Sequence, residues 1–487
     1  MSINKNHQIN VHLLLILLVL AFAVTMQSVS MPLSAHVNYS DSSVYQYIGK
    51  IILENKMPYT DAFDHKGMVL YLLNAVGYFI NPHWGIWLID TIVMFGIMLY
   101  AFKMSNIFLN EKISLVILAL CLSGLYRSYW IGNTPDYYAT LVLMVVFYYL
   151  IQYFIVNSLS KKMMIITGVC GGVLFWMKLT TIIPLGALCV GILFDICKKK
   201  NYRLFIQAII YSTISFVCVS LPLLLWIYFN GALKEMMQDY FWFNLFYAGD
   251  QQESSQKIIA LIKFLSNPSV FSVLILLLGV WIFSISDDKN TGNILTAAVF
   301  VFVSSLLSCA MTGRAYDQYI LILYPSMIII ISLITKRILK NVPMNSPITL
   351  TMFALLFVYV FIPNLQCGAD NIKKNLVSRS IDKKIVKFID DNTSINDLIT
   401  IVSPDHSGYY VECNRNSATT YPYVQASFYG NEEIWNEYLN QINEKQPKIL
   451  VWNNNWSIDI WYPGYVEKYK EEIKSDEISL YIRKEGK

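Results

Sequence analysis

Two stretches near the amino terminus gather the side chains best suited to chemistry. Asn38-Tyr-Ser-Asp41-Ser-Ser-Val-Tyr45 is followed by Lys56-Met-Pro-Tyr59-Thr-Asp61-Ala-Phe-Asp64-His65-Lys66-Gly67. Carboxylates beside a bilayer are partly desolvated, which raises their pKa and makes them better bases. A Lys at that level is placed to meet a lipid phosphate. The plainer reading is a solvated loop whose charges keep it in water. Trp130-Ile-Gly-Asn-Thr-Pro-Asp136 opens an apolar run with an acid. Thr312-Gly-Arg314-Ala-Tyr316-Asp317-Gln-Tyr319 puts an Arg and an acid at the start of another, and Lys178 interrupts a third. Each of these also has a bland reading: Asp136 as a helix N-cap after Pro, favourable with the dipole, Arg314 as a snorkelling partner of Asp317, Lys178 as a turn marker.

The elements that must position these residues are membrane helices. Of 487 residues, 55% are apolar and only 14% charged, against about 25% charged in a soluble domain. Residues 1–365 hold 37 charged residues, whereas the 122 residues 366–487 hold 33. The composition therefore excludes a single soluble globule, a disordered chain and a one-pass receptor. It predicts two domains, a transmembrane region over 1–365 and a soluble region over 366–487. The net charge of +4 is dispersed and gives no nucleic-acid footprint.

A crossing helix needs about 20 apolar residues. Eleven runs qualify: 11–30, 84–103, 113–130, 137–157, 163–177, 180–197, 204–229, 269–286, 293–311, 318–335 and 347–365. The first reads as an uncleaved anchor rather than a secretory signal. The run 163–197 is too long for one span and has lysines beyond both ends, so it must turn back at Lys178. The basic loops containing Lys103 and Lys112, Lys289, and Lys336, Arg337 and Lys340 become cytoplasmic if the amino terminus is inside. The soluble tail is then outside. Met68–Ile80 is short for a crossing and reads as an interfacial or re-entrant helix on the outer side. On this topology four separate loops place charged groups at one face and one depth.

The tail alternates helix and strand patterns, with helices over Ile381–Asn392 and Glu432–Glu444 and strands at Leu398–Val402, Lys448–Trp452 and Ile478–Arg483. This predicts a small α/β domain. It has no glycine-rich nucleotide fingerprint. Thr420-Tyr421-Pro422-Tyr423 and Asn414-Arg415 read as turns and packing, or as an acceptor entrance. Of eight cysteines, only Cys367 and Cys413 lie in the polar tail, and nothing but their number supports a disulfide. There is no Cys/His metal spacing.

The order Asp41-x-x-x-Tyr45, then Pro58-Tyr59-x-Asp61-x-Phe63-Asp64-x-Lys66-Gly67 running into a short helix, resembles integral-membrane glycosyltransferases of the GT-C fold. The nearest branch is that of protein O-mannosyltransferases and lipid A aminoarabinose transferases. Lys178-x-Thr180 and Gly313-Arg314-x-Tyr316, then Tyr319 and Pro325, look like later landmarks of that family. Two departures stand out. Ser42, Ser43 and Val44 occupy positions where the family often has a second acid and an Arg, and Lys66 is followed by Gly-Met rather than Pro-Pro.

The resemblance implies a polyprenyl-phosphate-linked sugar as donor and a glycan, lipid or protein as acceptor, on the outer face of the membrane. Lys66, Arg314 and Lys178, in that order, are candidates for stabilising the leaving phosphate. Asp41 is the candidate general base, with inversion at the anomeric carbon. Asp64 or Asp136 would orient the acceptor or hold a metal, with His65 assisting. Tyr45, Tyr59, Tyr316, Asp317 and Tyr319 complete the candidate binding residues. Some members of the wider fold use a divalent metal and others do not, and three acids on nearby loops do not decide between them. The competing classes are a flippase of lipid-linked sugars, a polysaccharide polymerase and a non-catalytic assembly partner. No internal repeat of the transporter kind is found.

Overall fold

The structure is a computed structural model. It describes residues 10–34, 37, 39, 41–129, 132–247, 254–282, 289–341, 347–377, 380–424 and 432–484. Asn38, Ser40, Trp130, Ile131 and the end of the 269–286 run lie outside the described residues. The described residues group into two compact units. The first gathers Met1–Gln27, Asp90–Leu224 and Ala248–Ile372, and the second gathers Ser28–Ile89, Leu225–Tyr247 and Lys373–Lys487. Residues 28–89 group with the tail in the second unit.

Helices occupy all eleven expected positions, but eleven crossings are not established. Among the described residues, six helices are long and apolar enough to cross a bilayer: Gly85–Asn106, Pro135–Val156, Leu179–Lys198, Tyr202–Phe229, Thr291–Met311 and Asp317–Lys340. A seventh is added if Ser254–Ser266 and Pro268–Leu278, bent by 75°, count as one broken span. Among the others, Val11–Thr25 and Lys161–Phe175 have 15 residues each, and Glu111–Ser128 carries Glu111, Lys112 and Arg127. The chain is a multi-pass helical membrane protein.

The 163–197 run breaks where its polar point lies. One helix ends at Phe175, Lys178 is extended, and a 3-10 turn over Leu179–Ile182 starts the next. The helix Pro135–Val156 shows how local sequence sets a boundary. Thr134, not the expected Asp136, caps it, accepting from the Tyr137 N–H; Pro135 and Asp136 lie in the first turn, and Asn157 ends it in the left-handed region at φ 54°.

In the second unit the tail forms a five-stranded sheet. Its strands are β1 (Leu398–Val402), β2 (Asn416–Ser417), β3 (Ile449–Asn453), β4 (Tyr469–Lys474) and β5 (Ile478–Arg483), in the order β2-β1-β3-β5-β4. The first three are parallel; β5 runs antiparallel to β3 and to β4. Ile385 and Ile389 from the helix Ser380–Asn392 are buried, as are Trp435, Tyr438 and Ile442 from Glu432–Lys445. These are the apolar stripes that helical spacing predicts. The expected helices and three of the strands are present, and β2 and β4 are additional.

Candidate active site

The first loop folds as a helix, a tight turn and a second helix, all within the second unit. Helix Asp41–Leu53 packs on helix Met68–Ile80 at Gly49, where a Cβ would lie 2.5 Å from the backbone carbon of Asn74. Only glycine allows so close an approach. The connecting turn is held by Asp61, whose carboxylate accepts from the Met57 N–H at 2.6 Å. Tyr59 sits at φ 71°, a conformation that costs a bulky residue about 1–3 kcal/mol. Its phenol donates to the Lys66 carbonyl at 2.8 Å, which explains a tyrosine there.

Asp64 is the centre of this turn and is only 2% exposed. Oδ2 accepts from the Tyr71 phenol at 2.9 Å and Oδ1 from the Tyr423 phenol at 3.0 Å. Burial first, and then the Asp64 charge, pushes the Tyr71 phenol well above its ordinary pKa, so it remains a donor. Lys66 Nζ lies 2.6 Å from His65 Nε2. An ammonium has only donors, so Nε2 accepts and the ring proton sits on Nδ1, 3.4 Å from Asp64 Oδ1. Asn244 fixes the same residue by donating to the His65 carbonyl at 2.7 Å, and the Phe243 ring lies 5.2 Å from the imidazole. Three consecutive side chains thus converge as carboxylate, imidazole and ammonium.

Asp41 opens its helix and is exposed. Tyr45, one turn on and on the same face, is 2% exposed, and Lys66 Nζ stands 6.0 Å from its ring centre. Burial and then the Asp41 charge push the Asp405 carboxyl up, which places two carboxyl groups near the helix start. The expected desolvation of the acids therefore falls on Asp64 and Asp136, not on Asp41 or Asp61, which face solvent. Ser43 and Gln46, turned away from Tyr45 on the same helix, line a cavity of about 850 Å³ with His83, Trp84, Asp382 and Glu412. On the Met237–Tyr247 segment, burial and then the charge of Asp64 raise Asp239 to about 8.

The first unit carries the other candidates. Lys178 donates to both oxygens of Asp136, at 3.0 and 2.8 Å, and lies 4.0 Å from the Tyr319 ring centre. Asp317 pairs with Arg127 at 3.3 Å rather than with Arg314. The Arg314 side chain is exposed and makes no ion pair among the described residues, and Tyr316 is exposed, with its ring 5.5 Å from that of Tyr319. Asp90 fastens the loop before Asp136: it accepts from Tyr129, Tyr138 and the Asn133 N–H at 2.9, 2.7 and 3.0 Å.

These residues do not fit a resident divalent ion. No three His, Cys, Asp or Glu side chains gather as a ligand set among the described residues. Asp64 and Asp136 each have both oxygens engaged. Cys367 and Cys413 are both free.

Sequence reasoning missed Tyr71, Asn244 and Asp239 and left Tyr423 undecided. Tyr71 is one aromatic among many in an apolar helix. Tyr423 lies in a segment already notable for its tyrosines, but nothing in one dimension pairs it with Asp64.

One comparison shows the family and another the fold. Residues 3–364 match the family model described as "Putative competence-induced protein Ccs4 N-terminal domain". No curated protein matches the chain. Among solved structures, ArnT from Cupriavidus metallidurans bound to undecaprenyl phosphate is similar with a TM-score of 0.67 and 10% identity. That similarity covers 96% of this chain and 97% of that one. The archaeal oligosaccharyltransferase AglB from Archaeoglobus fulgidus, in complex with an inhibitory peptide and a dolichol-phosphate, is similar with a TM-score of 0.54 and 10% identity. Here 97% of this chain and 76% of that one are covered. The fold is the GT-C fold that the first-loop motif implied.

Proposed function

The chain belongs to the Ccs4 N-terminal domain family, and from its GT-C fold and the first-loop site we propose that it is a membrane glycosyltransferase. Its donor is a sugar carried on a polyprenyl phosphate. The observation that carries this reading is Lys66, a nearly buried ammonium held by His65 beside Tyr45, in a helix-turn-helix that also presents Asp41. The ArnT and AglB structures hold undecaprenyl phosphate and dolichol-phosphate respectively, and a carrier lipid of that chemistry is proposed here.

The acceptor hydroxyl attacks the anomeric carbon and forms the new C–O bond. The bond from that carbon to the phosphate oxygen breaks, and the electron pair leaves with the polyprenyl phosphate. Asp41 takes the hydroxyl proton, and the anomeric carbon inverts. Lys66 stabilises the negative charge that grows on the leaving phosphate. Asp64 keeps His65 in the tautomer that accepts from Lys66. The acceptor is a glycan, lipid or protein. The amino terminus is cytoplasmic and the tail extracytoplasmic.

The test uses purified wild type and Asp41→Asn with a panel of labelled polyprenyl-phosphate sugars and membrane extract as acceptor source. Transfer by wild type that is abolished in a folded Asp41→Asn supports the reading. Transfer that persists moves the base to another carboxylate. Failure of every donor, with movement of lipid-linked sugar across liposomes instead, overturns it in favour of a flippase.

A further inference from the structure

Tyr423 lies 359 positions after Asp64 in the sequence, yet its phenol donates to Asp64 Oδ1 at 3.0 Å and is buried with it. The segment that carries it is fixed on both sides. The Phe63 N–H donates to the Thr420 carbonyl at 2.6 Å. The Ser407 hydroxyl donates to the Pro422 carbonyl at 3.0 Å, and the Val424 N–H to the Ser403 carbonyl at 3.1 Å. A group locked by such surrounding bonds can hold a neighbour in place. The oxygen that Tyr423 engages is the one facing His65 Nδ1 at 3.4 Å and Lys66 Nζ at 4.0 Å.

We propose that Tyr423 is a positioning residue for Lys66, acting through Asp64 and His65, so that the C-terminal region sets the cation that meets the donor phosphate. The proposal rests on the reading of Lys66 as that cation. With the phenol present, Oδ1 has its charge shared and Asp64 stays set against His65. Without it, Oδ1 is left to His65 and Lys66 alone. The imidazole is then more readily protonated, and a protonated ring cannot accept from Lys66. Among the described residues, the charged and titratable groups placed around His65 include Asp64 and Lys66 on its own segment, and Tyr71 and Tyr423 behind Asp64. From the Met237–Tyr247 segment, which contributes Phe243 and Asn244, Asp239 acts on Asp64.

The experiment uses the full chain in detergent, with isotope-labelled histidine and the His65 signal assigned by its loss in His65→Gln. Tyr423→Phe keeps the ring and removes the bond. The control is Tyr421→Phe, whose phenol pairs with Glu437 at 3.1 Å instead. Tyr423→Phe should raise the His65 titration midpoint and weaken binding of undecaprenyl phosphate by about tenfold, the loss of one hydrogen bond to a charged group. Tyr421→Phe should move neither. In an Asp64→Asn background, Tyr423→Phe should add no further loss, since both act on one chain of contacts. The proposal is overturned if a folded Tyr423→Phe leaves the His65 midpoint and the affinity unchanged, or if its loss multiplies with that of Asp64→Asn. If wild type does not bind undecaprenyl phosphate, the lipid-donor reading fails, while the His65 midpoint still decides the positioning claim.

Discussion

Lys178 engages both oxygens of Asp136, at 3.0 and 2.8 Å, with side-chain exposures of only 14% and 3%. The pair links the start of one membrane helix to the turn before another. A buried charge that loses its partner is expensive, whereas replacing both charges with apolar groups often is not. Lys178→Ala should therefore destabilise the protein by about 3–5 kcal/mol. The double variant Lys178→Met with Asp136→Leu should recover most of that loss. Thermal unfolding in detergent reads both. Equal loss in the double variant would mean that the pair is not what holds these ends.

Asp239 gives a pH signature. Its folded pKa of about 8 stands above the ordinary carboxylate value of 3.8, raised by burial and then by Asp64, Glu235 and Glu437. The folded state thus keeps a proton that the unfolded state releases. Stability should fall as pH rises from about 4 to about 8 and level off above, because the folded form binds more protons in that window. Asp239→Asn should flatten this slope. Unfolding midpoints of the two proteins across that range check it, and parallel curves would refute it.

Gly49 tests the positioning of Asp41 and Tyr45. A methyl group there would meet Asn74 backbone at 2.5 Å, and backbone cannot step aside as a flexible side chain can. Gly49→Ala should cost about 1–3 kcal/mol from overpacking. It should also reduce transfer, since the helix carrying Asp41 must move. A variant of wild-type stability and activity would show that the helices part without consequence.

Lys66 and Arg314 should separate in behaviour. Lys66→Gln removes a nearly buried ammonium from its imidazole partner, so it should lower both stability and polyprenyl-phosphate affinity. Arg314 is exposed and has no ion-pair partner among the described residues. Arg314→Ala should therefore shift stability by less than about 0.5 kcal/mol, and any loss of affinity reads its contact with phosphate. Titration with undecaprenyl phosphate, paired with melting curves, distinguishes the two.

The sequence alone determined what depends on local pattern. Helix positions followed from apolar runs, whereas the cap before Pro135 is Thr134 and not the expected Asp136. The break at Lys178 followed from the length of one apolar run, and the tail's helices and central strands from their periodicity. Asp64, His65 and Lys66 were legible as a group because they are consecutive. The number of crossings was not, because length and apolarity set a threshold that several helices miss or meet only when bent. Pairing was decided by tertiary structure. Nothing in the order of residues joins Tyr423 to Asp64, Arg127 rather than Arg314 to Asp317, or Lys178 to Asp136. Which acids are buried was also invisible, since Asp41 and Asp64 are the same residue type in the same loop. Hydrogen-bond partners and burial are set by chain segments that meet only on folding, whereas periodicity and capping act within a few residues.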